Sequence, residues 1–394
     1  MKNGWEIRRL PEIAEYSIGL TYSPKDVSDK GLVVLRSSNI QNDQLDLSDL
    51  VRVTRPVKDT LKVRGGDILM CSRNGSKRLV GKTTLIGKLP EEMTFGTFMT
   101  VIRGKSNPYL AWFFKSDAFR EQIGVGENTM INQVTKYMLD AIRVPLPPLS
   151  EQKRIVGILD ESFDGIATAA ANSEKNLKNA RAIFESYLES VFTQRGVGWV
   201  ESTIGDAIRF IDYRGKTPIK TAGGVRLITA KNVKMGYLQE APKEFIAPAS
   251  YQGWMTRGIP QKGDVLFTTE APLANVAQLD TDEKVAFAQR IIVMQTDKTK
   301  LDSTFLKYLL LSGPIQQRIR ADGTGATVQG IKASLLRLIE ISFPKTLAEQ
   351  ERIVEILDAL REETERLAVI YEQKLEALDA LKKSLLHRAF TAQL

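Results

Sequence analysis

A chain of 394 residues with 43% hydrophobic and 26% charged residues can form two to four domains, each with its own core. A single cysteine, Cys71, excludes an internal disulfide, and a single histidine, His387, argues against a zinc site or a histidine-based triad within one chain. The formal charge is +8, no apolar run reaches membrane-spanning length, and MKNGWEIRRLPEI lacks the apolar stretch of a signal peptide, so the expected compartment is the cytoplasm.

In chain order, residues 1 to 150 read as strand-rich. GLVVLRSSNI, GDILMC and TFMTVIRG are short β-type runs bounded by Gly, Pro, Asp and Asn, followed by helical spacing in PYLAWFFKSDAFREQI and an apolar strand in IRVPLPPL. Residues 151 to 196 read as one long helix. Ser150 is the expected N-cap, Pro147 and Pro148 forbid an earlier start, and heptads run through Val156, Phe163, Ala170, Leu177, Phe184 and Val191 with a second seam at Leu159, Ile166, Ser173, Ala180 and Tyr187. Residues 197 to 347 repeat the strand-rich pattern in GVRLITAKNV, GDVLFTT and AQRIIVMQT, with helical spacing in STFLKYLLLSGPIQQRI. Residues 348 to 394 repeat the helix, with seams at Ile353, Leu360, Leu367, Lys374 and Leu381 and at Leu357, Thr364, Tyr371, Leu378 and Leu385.

The repetition is a duplication. EQKRIVGILD at Glu151 to Asp160 returns as EQERIVEILD at Glu349 to Asp358, and the helices close on ESVFT and HRAFT. A period near 200 residues is too long for a solenoid or propeller, so the unit is a whole α+β domain followed by a whole helix. Two similar halves imply two similar sites. Each helix, a rod of roughly 66 Å at 1.5 Å per residue, needs a partner for its seam. The other copy in antiparallel pairing, or another chain, would supply it.

Charge divides along the same lines. Lys and Arg number 22 against 16 Asp and Glu in residues 1 to 150, and 20 against 14 in residues 197 to 347, whereas the helical segments are slightly acidic. Two basic domains separated by near-neutral helices point to a polyanion gripped at two places. Two resemblances to enzyme motifs fail. Asn107-Pro108-Tyr109 is one proline short of an adenine-methyltransferase motif and has no Gly-rich strand ahead of it, and NGSKRLVGKTT has Ser76 where a phosphate-binding loop needs Gly.

That second stretch is better read as a polar, basic loop, with Arg73, Asn74, Ser76, Lys77 and Arg78 suited to phosphates and base edges. Its counterpart, TTEAPLANVAQ, carries no positive charge, so the two domains should make unlike contacts with the polyanion. Further candidates follow other strands: Arg36, Ser37, Ser38 and Asn39 in the first copy, and Thr229, Lys231 and Asn232 in the second. Thr129, Asn132 and Gln133 correspond to Thr327 and Gln329, and Arg214 with Lys216 adds a basic turn. Asn and Gln can bond adenine through two hydrogen bonds, and Arg can do the same with guanine.

On the repeated LPPLSEQKRIVGILD and TLAEQERIVEILD segments and the GDIL and GDVL strands, the sequence resembles the specificity subunits of type I restriction-modification systems over essentially its whole length. The second copy departs from the pattern in reading FPKTLAEQ where the first has PLPPLSEQ. The resemblance implies two target-recognition domains, each reading one half of a bipartite, asymmetric double-stranded DNA site. The two conserved helices would pair antiparallel, set the spacing and dock two modification subunits. It also implies a noncatalytic chain that binds no cofactor of its own. S-adenosylmethionine would belong to the modification subunits, ATP and magnesium to the restriction subunits. The competing reading is a noncatalytic coiled-coil scaffold whose basic domains bind RNA or protein.

Overall fold

A computed structural model describes residues 4–124, 133–215, 217–288, 290–325 and 329–394. They form two compact units: the chain up to Glu174 with Glu372–Leu394, and Lys175–Tyr371.

In the first unit, β1 (Glu6–Arg9) pairs antiparallel with β9 (Arg143–Leu146), closing the globular part at its root. One sheet has the order β2 (Glu15–Ile18), β8 (Met99–Arg103), β5 (Ile68–Cys71), β6 (Thr83–Leu85), all antiparallel. The other has the order β7 (Met93–Phe95), β3 (Leu32–Leu35), β4 (Val51–Val53) and the short strand Val27–Ser28, with β7 parallel to β3. Helices α1 (Asn107–Phe113), α2 (Asp117–Gln122) and α3 (Lys136–Ala141) follow, and α4 (Leu149–Thr193) leaves from β9.

The second unit repeats the root pair and both four-stranded sheets strand for strand. Strand β10 (Trp199–Thr203) pairs with β18 (Glu340–Pro344). One sheet runs β11 (Ile208–Asp212), β17 (Ile291–Thr296), β14 (Val265–Thr268), β15 (Val276–Gln278). The other runs from Lys220–Thr221 through β13 (Glu244–Ile246) and β12 (Val225–Ile228) to β16 (Val285–Phe287), which is parallel to β12. Helices α5 (Ser303–Leu311), α6 (Gly313–Ala321) and α7 (Ala333–Leu338) precede α8 (Leu347–Phe390).

Side chains alternate across a strand, and here both faces of the central strands are buried. Ile68 and Met70 of β5 join the core shared with the helices, whereas Leu69 and Cys71 join the core between the sheets. In β14, Val265 and Phe267 face one way and Leu266 the other, in the same sense. That is why the strands ILMC and VLFT, which begin within GDIL and GDVL, are nearly uninterrupted apolar runs. Their Gly-Asp heads are structural as well. Gly66 and Gly263 adopt φ of +88° and +92°, where a side chain is strained, and the buried Asp67 accepts two bonds from Arg103, at 2.7 and 2.6 Å. At the same place in the second unit, Asp264 accepts from Gln295 at 2.7 Å.

The long helices pair antiparallel. In the first unit, Ile155 and Leu159 near the start of α4 share a core with Ala389 and Phe390 at the end of α8, and Arg154 donates to the Leu394 carbonyl at 2.9 Å. In the second unit, Leu188 and Phe192 at the end of α4 share a core with Ile353 and Leu357 near the start of α8. The repeated motif fastens helix to domain. Gln350 donates to the carbonyls of Pro344 and Lys300, and Gln152 donates to that of Pro147. Asp160 accepts from the Trp112 indole at 2.8 Å and Asp358 accepts from the Tyr308 hydroxyl. Burial and that carboxylate together push the Tyr308 phenol well above its ordinary range.

Three sequence expectations for the helices need correction. Helix α4 begins at Leu149, with the Pro148 carbonyl accepting from Glu151 and Gln152, so Ser150 lies within the first turn and does not cap it. Tyr187 is 37% exposed and Leu188 is buried in its place. On α8, Lys374 and Leu381 are exposed, and Leu375 and Leu378 are the half-buried pair. A straight helix drifts by about 20° per heptad, so a strict seven-residue count slips off the buried stripe after several heptads. Ser173 and Thr364, polar residues on the seam, donate to the carbonyls of Ala169 and Leu360 in their own helices. Among the described residues, no helix is long and apolar enough to cross a membrane.

Candidate nucleic-acid interface

The candidate loops leave the C-terminal ends of β3 and β5 and the segment before α3. In the first unit they meet. The Val134 amide donates to the Ser72 carbonyl at 2.7 Å, which sets Gln133 opposite Arg73, and Asn74 donates to the Ser37 hydroxyl at 3.1 Å. Arg73 lies over the ring of Phe98, 5.4 Å from its centroid. The result is a concavity of about 370 Å³ lined by Arg73, Phe98, Gln133 and Lys136. Phe98 also lines a neighbouring concavity of about 740 Å³ with Arg36, Ser37 and Ser38. Ser76, Lys77 and Arg78 are exposed on the adjoining turn.

A concavity of about 360 Å³ occupies the equivalent place in the second unit, where Ile331 donates to the Thr269 carbonyl at 2.9 Å and Gly330 stands opposite Glu270. Arg214, Glu270, Arg290, Thr324 and Lys332 line it. Burial works to raise the Asp212 carboxyl, but its bonds from Arg214 outweigh this and hold it below the usual carboxylate range. The ion pair fixes Arg214 beside the site. Gln329, next to Gly330, is exposed, and so is Lys231. Thr229 and Lys231 belong to the loop after β12 and do not line this concavity. Thr129, Asn132, Lys216 and Thr327 lie outside the described residues.

Asn39 and Asn232 do not fit a base-contact role. Both are 1% exposed, and both side chains are engaged within their own loops. Asn39 accepts from the Arg36 amide and donates to the carbonyls of Asp46 and Asp49, while Asn232 accepts from Thr229 and donates to those of Gln239 and Pro242. They shape the loops that carry Ser38 and Lys231. Lys82 of the Gly-Lys-Thr string donates to the Ile40 carbonyl, as Asn275 donates to that of Val233, so it too is a loop strap. Asn107 clamps the carbonyls of Gly66 and Ile102 at 2.7 and 2.9 Å. Because removing a buried asparagine amide breaks its bonds to two loop carbonyls and takes the acceptor from a backbone amide, Asn39→Ala and Asn232→Ala should each cost about 1–3 kcal/mol of stability. Urea unfolding checks this, and wild-type stability in both would return the two residues to the surface set.

Reasoning from residue types alone missed Phe98, Lys136, Glu270, Arg290 and Lys332. Lys136 sits three residues after Gln133, but nothing in its residue type sets it apart from the other lysines of the chain. Arg290 carried no signal, since its place depends on a left-handed φ of +77°.

The family model described as the type I restriction modification DNA specificity domain matches residues 2–179 and again residues 196–375. The chain belongs to this family. It is 23% identical over 427 residues to the specificity subunit of the type I restriction enzyme StySPI from Salmonella potsdam, covering 100% of this chain and 90% of that protein. Among solved structures, it matches a chain from work on assembly and conformational transition of the type I R-M system, with TM-score 0.77, 19% identity and coverage of 100% and 99%. It also matches the HsdS subunit from Thermoanaerobacter tengcongensis, with TM-score 0.65, 18% identity and coverage of 100% and 98%. The two structures share its fold. The role that family membership gives the chain is sequence specificity, and the scaffold reading finds no support.

Proposed function

We propose that each recognition domain reads one half of a bipartite, asymmetric duplex target, and that the chain itself catalyses nothing. Two modification subunits dock on the paired helices and transfer methyl groups from S-adenosylmethionine, and restriction subunits cleave with ATP and magnesium, the whole complex working in the cytoplasm. The observation that carries this reading is the pair of equivalent concavities, one on each copy of a basic domain, with unlike linings. One scaffold supplied twice with different side chains is what an asymmetric two-part target requires. The candidate contacts are Arg36, Ser37, Ser38, Arg73, Asn74, Ser76, Lys77, Arg78, Gln133, Arg214, Thr229, Lys231 and Gln329.

Two measurements test it. Binding to duplex DNA should weaken linearly in log salt, by roughly 0.9 for each phosphate neutralised, and should favour the target over random duplex by about a thousandfold or more. A binding constant that is independent of sequence would point instead to a scaffold. Incubated alone with S-adenosylmethionine, the chain should transfer no methyl group, and adding modification subunits should produce methylation at one bipartite sequence. Methyl transfer by the chain alone would overturn the division of labour.

A further inference from the structure

The strand registers identify one position in each domain with the other. Cys71 and Met99 are partners in one sheet as Thr268 and Ile291 are in its copy, so Arg73 is equivalent to Glu270 and Phe98 to Arg290. The Phe98 carbonyl accepts from the Ser72 amide as the Arg290 carbonyl accepts from the Thr269 amide, both at 2.9 Å. Two touching positions therefore carry a cation over an aromatic ring in one domain and a carboxylate paired with a cation in the other. The Arg290–Glu270 distance is 3.0 Å, with both side chains 45% exposed. Phe98 is 53% exposed.

The charge reversal separates two roles. A position facing phosphates would not tolerate a carboxylate in a basic domain, because the contact would be repulsive and would release no counterion. A position facing base edges tolerates either sign, since guanine presents two acceptors to an arginine fork and cytosine presents an amino donor to a carboxylate. We propose that residues 73 and 270 are the same base-reading position in the two domains, Arg73 selecting guanine and Glu270 selecting cytosine. Phe98 and Arg290 are positioning residues: the ring supports the guanidinium from its face, and the guanidinium of Arg290 aims the carboxylate. The inference rests on the reading that the domains contact duplex DNA.

The test is an exchange of the pairs in the full chain, assembled with its modification subunits and offered a randomised duplex library whose methylated members are sequenced. Glu270→Arg with Arg290→Phe should change one base pair of one half-site from C·G to G·C, by roughly tenfold or more in relative methylation, and leave all other positions as they were. The reciprocal Arg73→Glu with Phe98→Arg should change one base pair of the other half. Should the first double variant melt early, the isosteric Glu270→Gln replaces it, with loss of cytosine preference at that single position and an unchanged melting midpoint as the expected result. Should the reciprocal one do so, Arg73→Gln replaces it, with loss of guanine preference at its own position as the expected result. A folded, active variant that keeps the wild-type motif would overturn the inference while leaving DNA reading intact. A wild-type complex that methylates without any motif would overturn the reading beneath it.

Discussion

Phe390→Ala should destabilise the first unit by roughly 3–5 kcal/mol, the range for deleting a buried aromatic side chain that its surroundings cannot replace. Phe390 is 6% exposed at the end of α8 and meets Tyr109 and Phe113 edge-on, with centroids 5.3 and 5.4 Å away. Its duplicate, Phe192 at the end of α4, meets Phe305 and Trp199 in the second unit at 5.4 and 6.2 Å. These are the phenylalanines of HRAFT and ESVFT, so the repeated helix ending is a plug for an aromatic socket in the recognition domain. Both the lost burial and the cavity count against the variant, and for a unit of about 200 residues the melting midpoint should fall on the order of 10 °C. Phe192→Ala should lower the midpoint of the second unit by a similar amount. Calorimetry with each variant checks both, and a loss under about 1 kcal/mol would show that the sockets close without their plugs.

The plugs also show where sequence reading succeeds and where it stops. Duplication, strand-rich domains and long helices were all legible, because hydrophobic period and literal repetition survive in one dimension. The roles of the repeated residues were not. Gln350 and Asp358 stand in a string recognisable at sight, yet their work is to hold Pro344 and Tyr308, which are distant or unremarkable in the sequence. Asn39 and Asn232 follow strands as a base-reading asparagine would, and only burial reveals that their amides are spent on neighbouring carbonyls. Turn-holding and base-reading demand the same donors and acceptors, so residue type cannot separate them. The Phe98 and Arg290 equivalence was hidden for another reason. Arg73 and Glu270 each stand seven residues after the glycine of GDIL or GDVL, but the loop after β5 is longer than the loop after β14, so counting onward along the chain loses the alignment of Phe98 with Arg290 that strand pairing restores.

Replacing residues 197–347 with the corresponding segment of another family member should exchange one half of the methylated target completely and leave the other half unchanged. The geometry favours such a graft. Entry and exit lie side by side, since Trp199 pairs with Pro344 and Thr203 with Glu340 in one antiparallel ladder, so the segment can be lifted out at a single place. One condition is strict. The core beneath the graft includes Leu188 and Phe192 of α4 and Ile353 and Leu357 of α8, which pack with Phe305 and Tyr308 of the segment being exchanged. A donor lacking an aromatic residue at the position of Phe305 would leave Phe192 without its socket, and the cost would appear as lost stability before any change of target. Where that residue is present, the recognition loops travel with the segment and the helix contacts stay as they were. Sequencing the methylated sites in cells that carry the chimera with its modification subunits reads the outcome directly. A change in both halves, in a chimera that melts like the parent, would show that the two domains do not read independently.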